Sequence, residues 1–170
     1  GTGQDMERDY DYDSRIFQSD LDSPDAIGVS AAERALSRLN PKRPPTGAYP
    51  VVFDERVAGS LIGHLLSANN GAAIARGSSW LLNDLGNQIL PSELSIIEDP
   101  HRARVARSRP FDAEGLPTQK RSIVENGVLT GWTLDLANAR KLALTSTANA
   151  ARGTSAPPSP SSWNIELTQG

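Results

Sequence analysis

The sequence predicts an α+β fold, with a mixed or mainly antiparallel sheet packed against helices and a helical arm at the N-terminus. Three observations lead there. Apolar residues recur at helical spacing after Asp54. Asn126-Gly127 sits between two β-rich runs, the strongest short-range hairpin signal in the chain. Short strand candidates recur at 88–90 and 94–97, separated by Pro91, and at 163–167.

Taken in order, residues 1–23 are acidic. Asp5, Glu7, Asp9, Asp11 and Asp13 alternate past Tyr10 and Tyr12, which reads as a solvated strand or arm or as an interaction segment. Ser23-Pro24-Asp25 opens a helix, because proline is favoured at the first helical position. Ile27, Ala31, Ala35 and Leu39 mark its apolar stripe, and Asn40-Pro41 stops it. Residues 42–47, KRPPTG, form a stiff basic connector. Residues 1–45 are therefore an N-terminal arm, or the tail of a preceding domain, and 46–170 form the main, truncated domain.

The stretch from Pro50 to Trp80 organises the rest. Val51-Val52-Phe53 reads as a buried strand. Asp54 then stands at a helix N-cap, with Glu55 placing negative charge in the first turn. Val57, Leu61, Leu65 and Ala68 share one arc of the helical wheel, and Gly59, Ser60, Gly63 and Ser67 line the opposite one. Each interior glycine costs a helix roughly 1 kcal/mol, so a close backbone or a ligand is expected against that small-residue arc. Asn69-Asn70-Gly71 bends the path, and 72–85 is again helical in pattern, with Ser78-Ser79 as an interruption.

Strand candidates at 88–90 and 94–97 follow, split by Pro91. Residues 101–109, HRARVARSR, are the chain's strong positive patch. They read either as solvated arginines on a loop or as a site for carboxylates or peptide carbonyls, since guanidinium presents a planar fork of donors. Asp112 and Glu114 read as turn chemistry or as an acid–base pair. Residues 120–125 and 128–134 form the hairpin, Asp135 caps a short helix, 145–162 is a long Ser/Thr/Ala/Pro loop, and 163–167 starts a strand with no partner after it.

Composition bounds the function. The chain has 170 residues, 38% hydrophobic and 22% charged, with a net charge of −3. That balance gives no reason to expect nucleic acid or an anionic membrane as partner. There is no cysteine, hence no disulfide, thiolate nucleophile or cysteine zinc site, which fits a reducing, cytoplasmic setting. No apolar run approaches the roughly 18–20 residues of a membrane span, and nothing at the start resembles a signal peptide. The chain opens Gly1-Thr2-Gly3-Gln4 without an initiator methionine and reads as part of a longer protein. It holds no Walker loop, nucleophile elbow, two-histidine zinc pattern or dinucleotide fingerprint. Its two histidines are His64 and His101. A lone His64 reads as a packing residue or as a metal-ligand remnant.

Several separated blocks, in order, resemble the TldD/PmbA family, once labelled modulator of DNA gyrase. They are PTGAYPVVFDERVAGSLIGHLLSANNGAAIARGSSWLLNDLG, EDP, RSRPFDAEGLPTQKRSIVENGVLTGWTLDLANARKL, ALTSTANAARG and PSPSSWNIEL. The resemblance implies a cytoplasmic metallopeptidase system that trims unstructured peptides such as microcin precursors. In it a TldD-type subunit bearing a zinc-binding HExxxH helix pairs with a PmbA (TldE)-type subunit that lacks it. At the HExxxH positions this chain reads Gly59-Ser60-Leu61-Ile62-Gly63-His64. Gly59 replaces the first histidine, Ser60 the glutamate, and only His64 is kept. The resemblance thus implies a PmbA/TldE-type subunit with no catalytic residue and no metal of its own, zinc being expected in a TldD-type partner. A peptide substrate and that subunit are the implied partners, with a homodimer as the alternative for the isolated chain.

Arg107, Arg109, Asn138 and Arg140 fall in family-like blocks and are the candidate lining of a shared peptide channel. The 120–134 hairpin is a candidate platform for an extended peptide. Two other classes stay open: an active metallopeptidase whose site is completed outside this chain, and an interaction protein that modulates DNA gyrase.

Overall fold

Among the described residues, six strands and three helices follow Phe53: α2 (Glu55–Ala68), α3 (Gly71–Ala75), β1 (Leu94–Glu98), β2 (Arg121–Glu125), β3 (Val128–Leu129), α4 (Leu136–Lys141), β4 (Ala150–Ala151), β5 (Ser159–Pro160) and β6 (Ile165–Gln169), with α1 (Pro24–Ser37) before them. The structure is a computed structural model and describes residues 6–169; Asp5 of the acidic run lies outside them. The chain divides into two units, Gly1–Val52 and Phe53–Gly170. The fold is α+β, and the principal sheet is antiparallel, ordered β3-β2-β1-β6, with β4 and β5 forming a separate pair.

In the first unit α1 starts where the sequence places it. Ser23 accepts the Ala26 amide as N-cap, ahead of Pro24. Two of the alternating aspartates are tethered to this helix rather than simply solvated: Arg34 reaches Asp11 at 2.8 Å and Arg38 reaches Asp9 at 3.1 Å.

In the second unit the Asn-Gly hairpin forms as its residues require. Asn126 and Gly127 both take positive φ, 48° and 82°, the handedness that matches strand twist. A Cβ on Gly127 would lie 2.9 Å from the Pro91 carbonyl oxygen, so glycine is also needed for close approach. The hairpin is shorter than the sequence suggests, because β3 ends at Leu129. The 163–167 strand does have a partner: it lies earlier in the chain, and β6 pairs along β1 from Leu94↔Gln169 to Glu98↔Ile165. Between β1 and β2 the register shifts at Ile96/Ile97, which leaves Glu98 opposite Arg121.

Three further expectations are corrected. Val51-Val52-Phe53 is not a strand: none of the described residues pairs with it, and Val52 is 97% exposed. The helix expected over 72–85 stops at Ala75. Gly77 turns to φ +70°, and the Ser79 hydroxyl donates to the Ala68 carbonyl while accepting the Leu81 amide. That turn delivers Leu81 into the core. Residues 88–90 contribute only an isolated bridge, Gln88↔Val128. The core gathers Leu65, Ile74, Leu81, Ile96, Ile123 and Leu129, joining the C-terminal half of α2 to the sheet.

Candidate functional site

Helix α2 begins as expected, with the Asp54 carboxylate accepting the Arg56 amide at 3.0 Å. Its apolar arc divides in two. Leu65 and Ala68 are buried, whereas Val57 and Leu61 are 50% and 49% exposed. The close neighbour expected at the small-residue arc is not supplied by the described residues, since a Cβ on Gly59 or Gly63 would have nothing within 4 Å. Gly59 offers no ligating atom, Ser60 donates its hydroxyl to the Val57 carbonyl at 2.6 Å, and His64 is exposed. Structural and catalytic zinc sites take three or four N, O or S ligands. One imidazole does not meet that requirement, and the described residues hold no group of three His, Cys, Asp or Glu placed for a metal ion.

The arginine loop after β1 is built, not merely solvated. Arg102 pairs with Glu166, and Arg107 donates from Nη2 to the Ser161 hydroxyl at 3.1 Å. Arg109 lies over the Trp163 ring, its guanidinium carbon 4.0 Å from the ring centroid. Trp163 is itself pinned: its indole N–H donates to the Ala148 carbonyl at 3.1 Å and its backbone N–H to Glu98 Oε1 at 2.6 Å. Asp99 accepts the His101 amide at 2.9 Å, and that hydrogen bond, with the nearby Lys120 and Arg102 charges, holds its carboxyl below the usual 3.8.

Asn138 and Arg140 sit on α4. Asn138 is buried, and both its backbone N–H and its side-chain amide donate to Asp135 Oδ1 at 2.8 Å. This completes the α4 N-terminus and commits the side chain locally. Arg140 is exposed on the last turn, where a cation is favoured by the helix dipole. The structure keeps Arg107 and Arg109 together on one loop and Asn138 and Arg140 together on one helix. Arg109 walls a cleft of about 330 Å³ with Pro100, His101, Ser108 and Pro110. A second cleft, of about 510 Å³, is walled by Pro117, Arg121, Leu136 and residues 145–148, without any of the four.

The acid–base reading of Asp112 and Glu114 finds a cheaper structural account. Asp112 is buried and accepts the amides of Glu114, Leu116 and Ala150, while Glu114 accepts the Leu136 amide. The sequence reading missed a deeply buried charge. Glu98, 1% exposed, pairs with Arg121 at 2.7 Å and accepts from Asn149 at 2.9 Å. Arg121 in turn donates to the Thr133 hydroxyl at 2.9 Å. No local signal marks Glu98, because its partners come from three distant segments. On the platform question, β3 and β6 are the outer strands of the sheet; β3 is only two residues long, and Gln88 bridges to it.

Residues 46–170 match the family described as PmbA/TldA metallopeptidase C-terminal domain. The Escherichia coli O157:H7 protein "Metalloprotease PmbA" is 47% identical over 146 residues, 86% of this chain and 32% of that protein. The Haemophilus influenzae "Metalloprotease PmbA homolog" is 43% identical over 146 residues, 85% of this chain and 32% of that protein. A crystal structure from Bacteroides thetaiotaomicron, named as a candidate modulator of DNA gyrase, superposes with a TM-score of 0.87. It is 31% identical and covers all of this chain and 36% of that one. The chain thus spans about a third of the length of the curated relatives it matches.

Proposed function

Because the chain belongs to the PmbA/TldD metallopeptidase family, and to its PmbA (TldE) type, we propose that it serves as the non-catalytic or jointly catalytic subunit of a TldD/TldE-like metallopeptidase. Its substrates are unstructured peptides of the microcin-precursor kind, and its setting is the cytoplasm. One observation carries the proposal: on α2 the family's HExxxH positions are held by Gly59, Ser60 and His64. Gly59 has no donor, and the Ser60 hydroxyl is engaged with Val57. A hydrolytic zinc site needs a complete ligand set and a base, usually a carboxylate. This helix offers neither, so zinc and the activated water belong to the TldD-type partner.

The chain's part is then to offer shape and hydrogen-bonding groups to the peptide and a mate for the catalytic subunit. Arg107, Arg109 and Arg140 are the side chains proposed to face the shared channel. Asn138 acts by positioning α4, since its amide is committed to Asp135. Co-expression with a TldD-type subunit tests the proposal: the two should co-purify and cleave an unstructured peptide. Recovery of DNA gyrase without a TldD-type subunit would replace it with the interaction-protein reading.

A further inference from the structure

The Arg109 guanidinium carbon sits 4.0 Å from the centroid of the Trp163 ring, a cation–π contact that holds the side chain against the indole. Arg109 makes no side-chain hydrogen bond or ion pair among the described residues, and its Nε is buried without a partner. An unsatisfied buried donor on a charged group is costly, and the Nη donors of the same guanidinium also lack an acceptor among the described residues.

The neighbouring groups do not supply one. Thr118 donates its only hydroxyl hydrogen to the Arg109 carbonyl at 2.6 Å. The 3.1 Å contact between His101 Nε2 and the same hydroxyl oxygen is therefore a donation from histidine, which fixes the ring. Ser108 donates to the Arg102 carbonyl and accepts from Asn164. Asp99, the acid adjoining this loop, is engaged by the His101 amide and Lys120.

We propose that this cleft, walled by Pro100, His101, Ser108, Arg109 and Pro110, is a carboxylate-binding subsite, and that its ligand is the acidic side chain of an extended peptide. Chain-terminal carboxylates are generally captured by clustered backbone amides. Here Pro100 and Pro110 have no N–H, and the amides of His101, Ser108 and Arg109 are already engaged with Asp99, Val105 and Pro100. The planar fork of Arg109 is what remains, and it matches a carboxylate. The subsite would give this subunit a preference for Asp or Glu at one position of a bound peptide. It rests on the peptide-binding reading above but is measured without the partner subunit, so a failed co-purification and a failed carboxylate preference are separate results.

The test is calorimetric titration of the protein with three alanine-based pentapeptides. One is blocked at both ends with a central glutamate, one is blocked with a central glutamine, and one carries that glutamine and a free C-terminus. The glutamate peptide should bind at least roughly tenfold more tightly than the other two. Arg109→Gln should abolish the difference, and Arg109→Lys, which keeps the charge and guards against a folding artefact, should retain part of it. Thermal melts of both variants control for folding. Equal binding of the glutamate and glutamine peptides, no binding of any peptide, or an undiminished preference in folded Arg109→Gln would each overturn the subsite. Tighter binding of the free-terminus peptide would overturn its assignment to an acidic side chain.

Discussion

Arg121 on β2 and Glu98 on β1 face each other in register, with Nε 2.7 Å from Oε2, and Glu98 is all but inaccessible to water. The pair ties the sheet to three further segments through Asn149, the Trp163 amide and Thr133. Breaking a buried pair by deleting one partner leaves the other charge uncompensated, at about 3–5 kcal/mol. Arg121→Ala should therefore lower the urea midpoint severely. Replacing both residues with apolar ones of similar size should cost less, and equal losses for single and double variants would show that the charges are not coupled.

Two glycines separate packing from propensity. A Cβ at Gly71 would stand 2.5 Å from Leu134 Cδ2 and 2.7 Å from the Thr133 carbonyl oxygen, because Asn70 and Thr133 bridge there. Gly71→Ala should destabilise by about 1–3 kcal/mol. A Cβ at Gly59 meets nothing within 4 Å. Gly59→Ala should instead stabilise the isolated chain by about 0.5–1 kcal/mol through helix propensity. Thermal melts of the two variants moving in the same direction would contradict this contrast.

Asp99 gives a pH dependence with a definite sign. Its carboxyl is held below the usual 3.8, chiefly by the His101 amide and then by the Lys120 charge. A group lowered on folding stabilises the protein above its unfolded value, and that contribution is lost as pH falls through the folded value. Carboxyl NMR titration should place the Asp99 midpoint below 3.8, and Asp99→Asn should flatten the acid limb of stability against pH. A midpoint at or above the ordinary value would remove the claim.

Arg140→Ala separates function from fold. The side chain is exposed, so its removal should leave the melting temperature within a degree or two. Peptide cleavage by the reconstituted pair should nevertheless weaken. Asn138→Ala should behave oppositely at the level of the chain, because losing both its amide donation and local packing costs stability of about 1 kcal/mol. Unchanged cleavage by the Arg140 variant would remove that residue from the proposed channel.

What could be read from the sequence was local. The Asp54 cap, the Ser23-Pro24 helix start and the Asn126-Gly127 turn each depend on a few adjacent residues, and all three form. Val51-Val52-Phe53 misled because β-branched residues describe a strand only when another strand pairs with them. The Glu98–Arg121 pair was hidden by the register shift at Ile96/Ile97, which residue alternation cannot reveal. The seating of Arg109 on Trp163 was hidden likewise, since the two meet only through the fold. The reading of Gly59 and Ser60 as standing where the family motif has a histidine and a glutamate rests on the resemblance alone. Physical pattern alone gave an amphipathic helix with two unexplained glycines.

The central claim is that α2 has kept its packing at Leu65 and Ala68 but carries no zinc site of its own. It is tested most directly by zinc content per chain, measured on the protein purified alone and again in complex with a TldD-type subunit. The protein alone should hold no stoichiometric zinc, and the complex should hold one zinc for each TldD-type subunit. Stoichiometric zinc in the protein alone, lost in a His64→Ala variant, would contradict it.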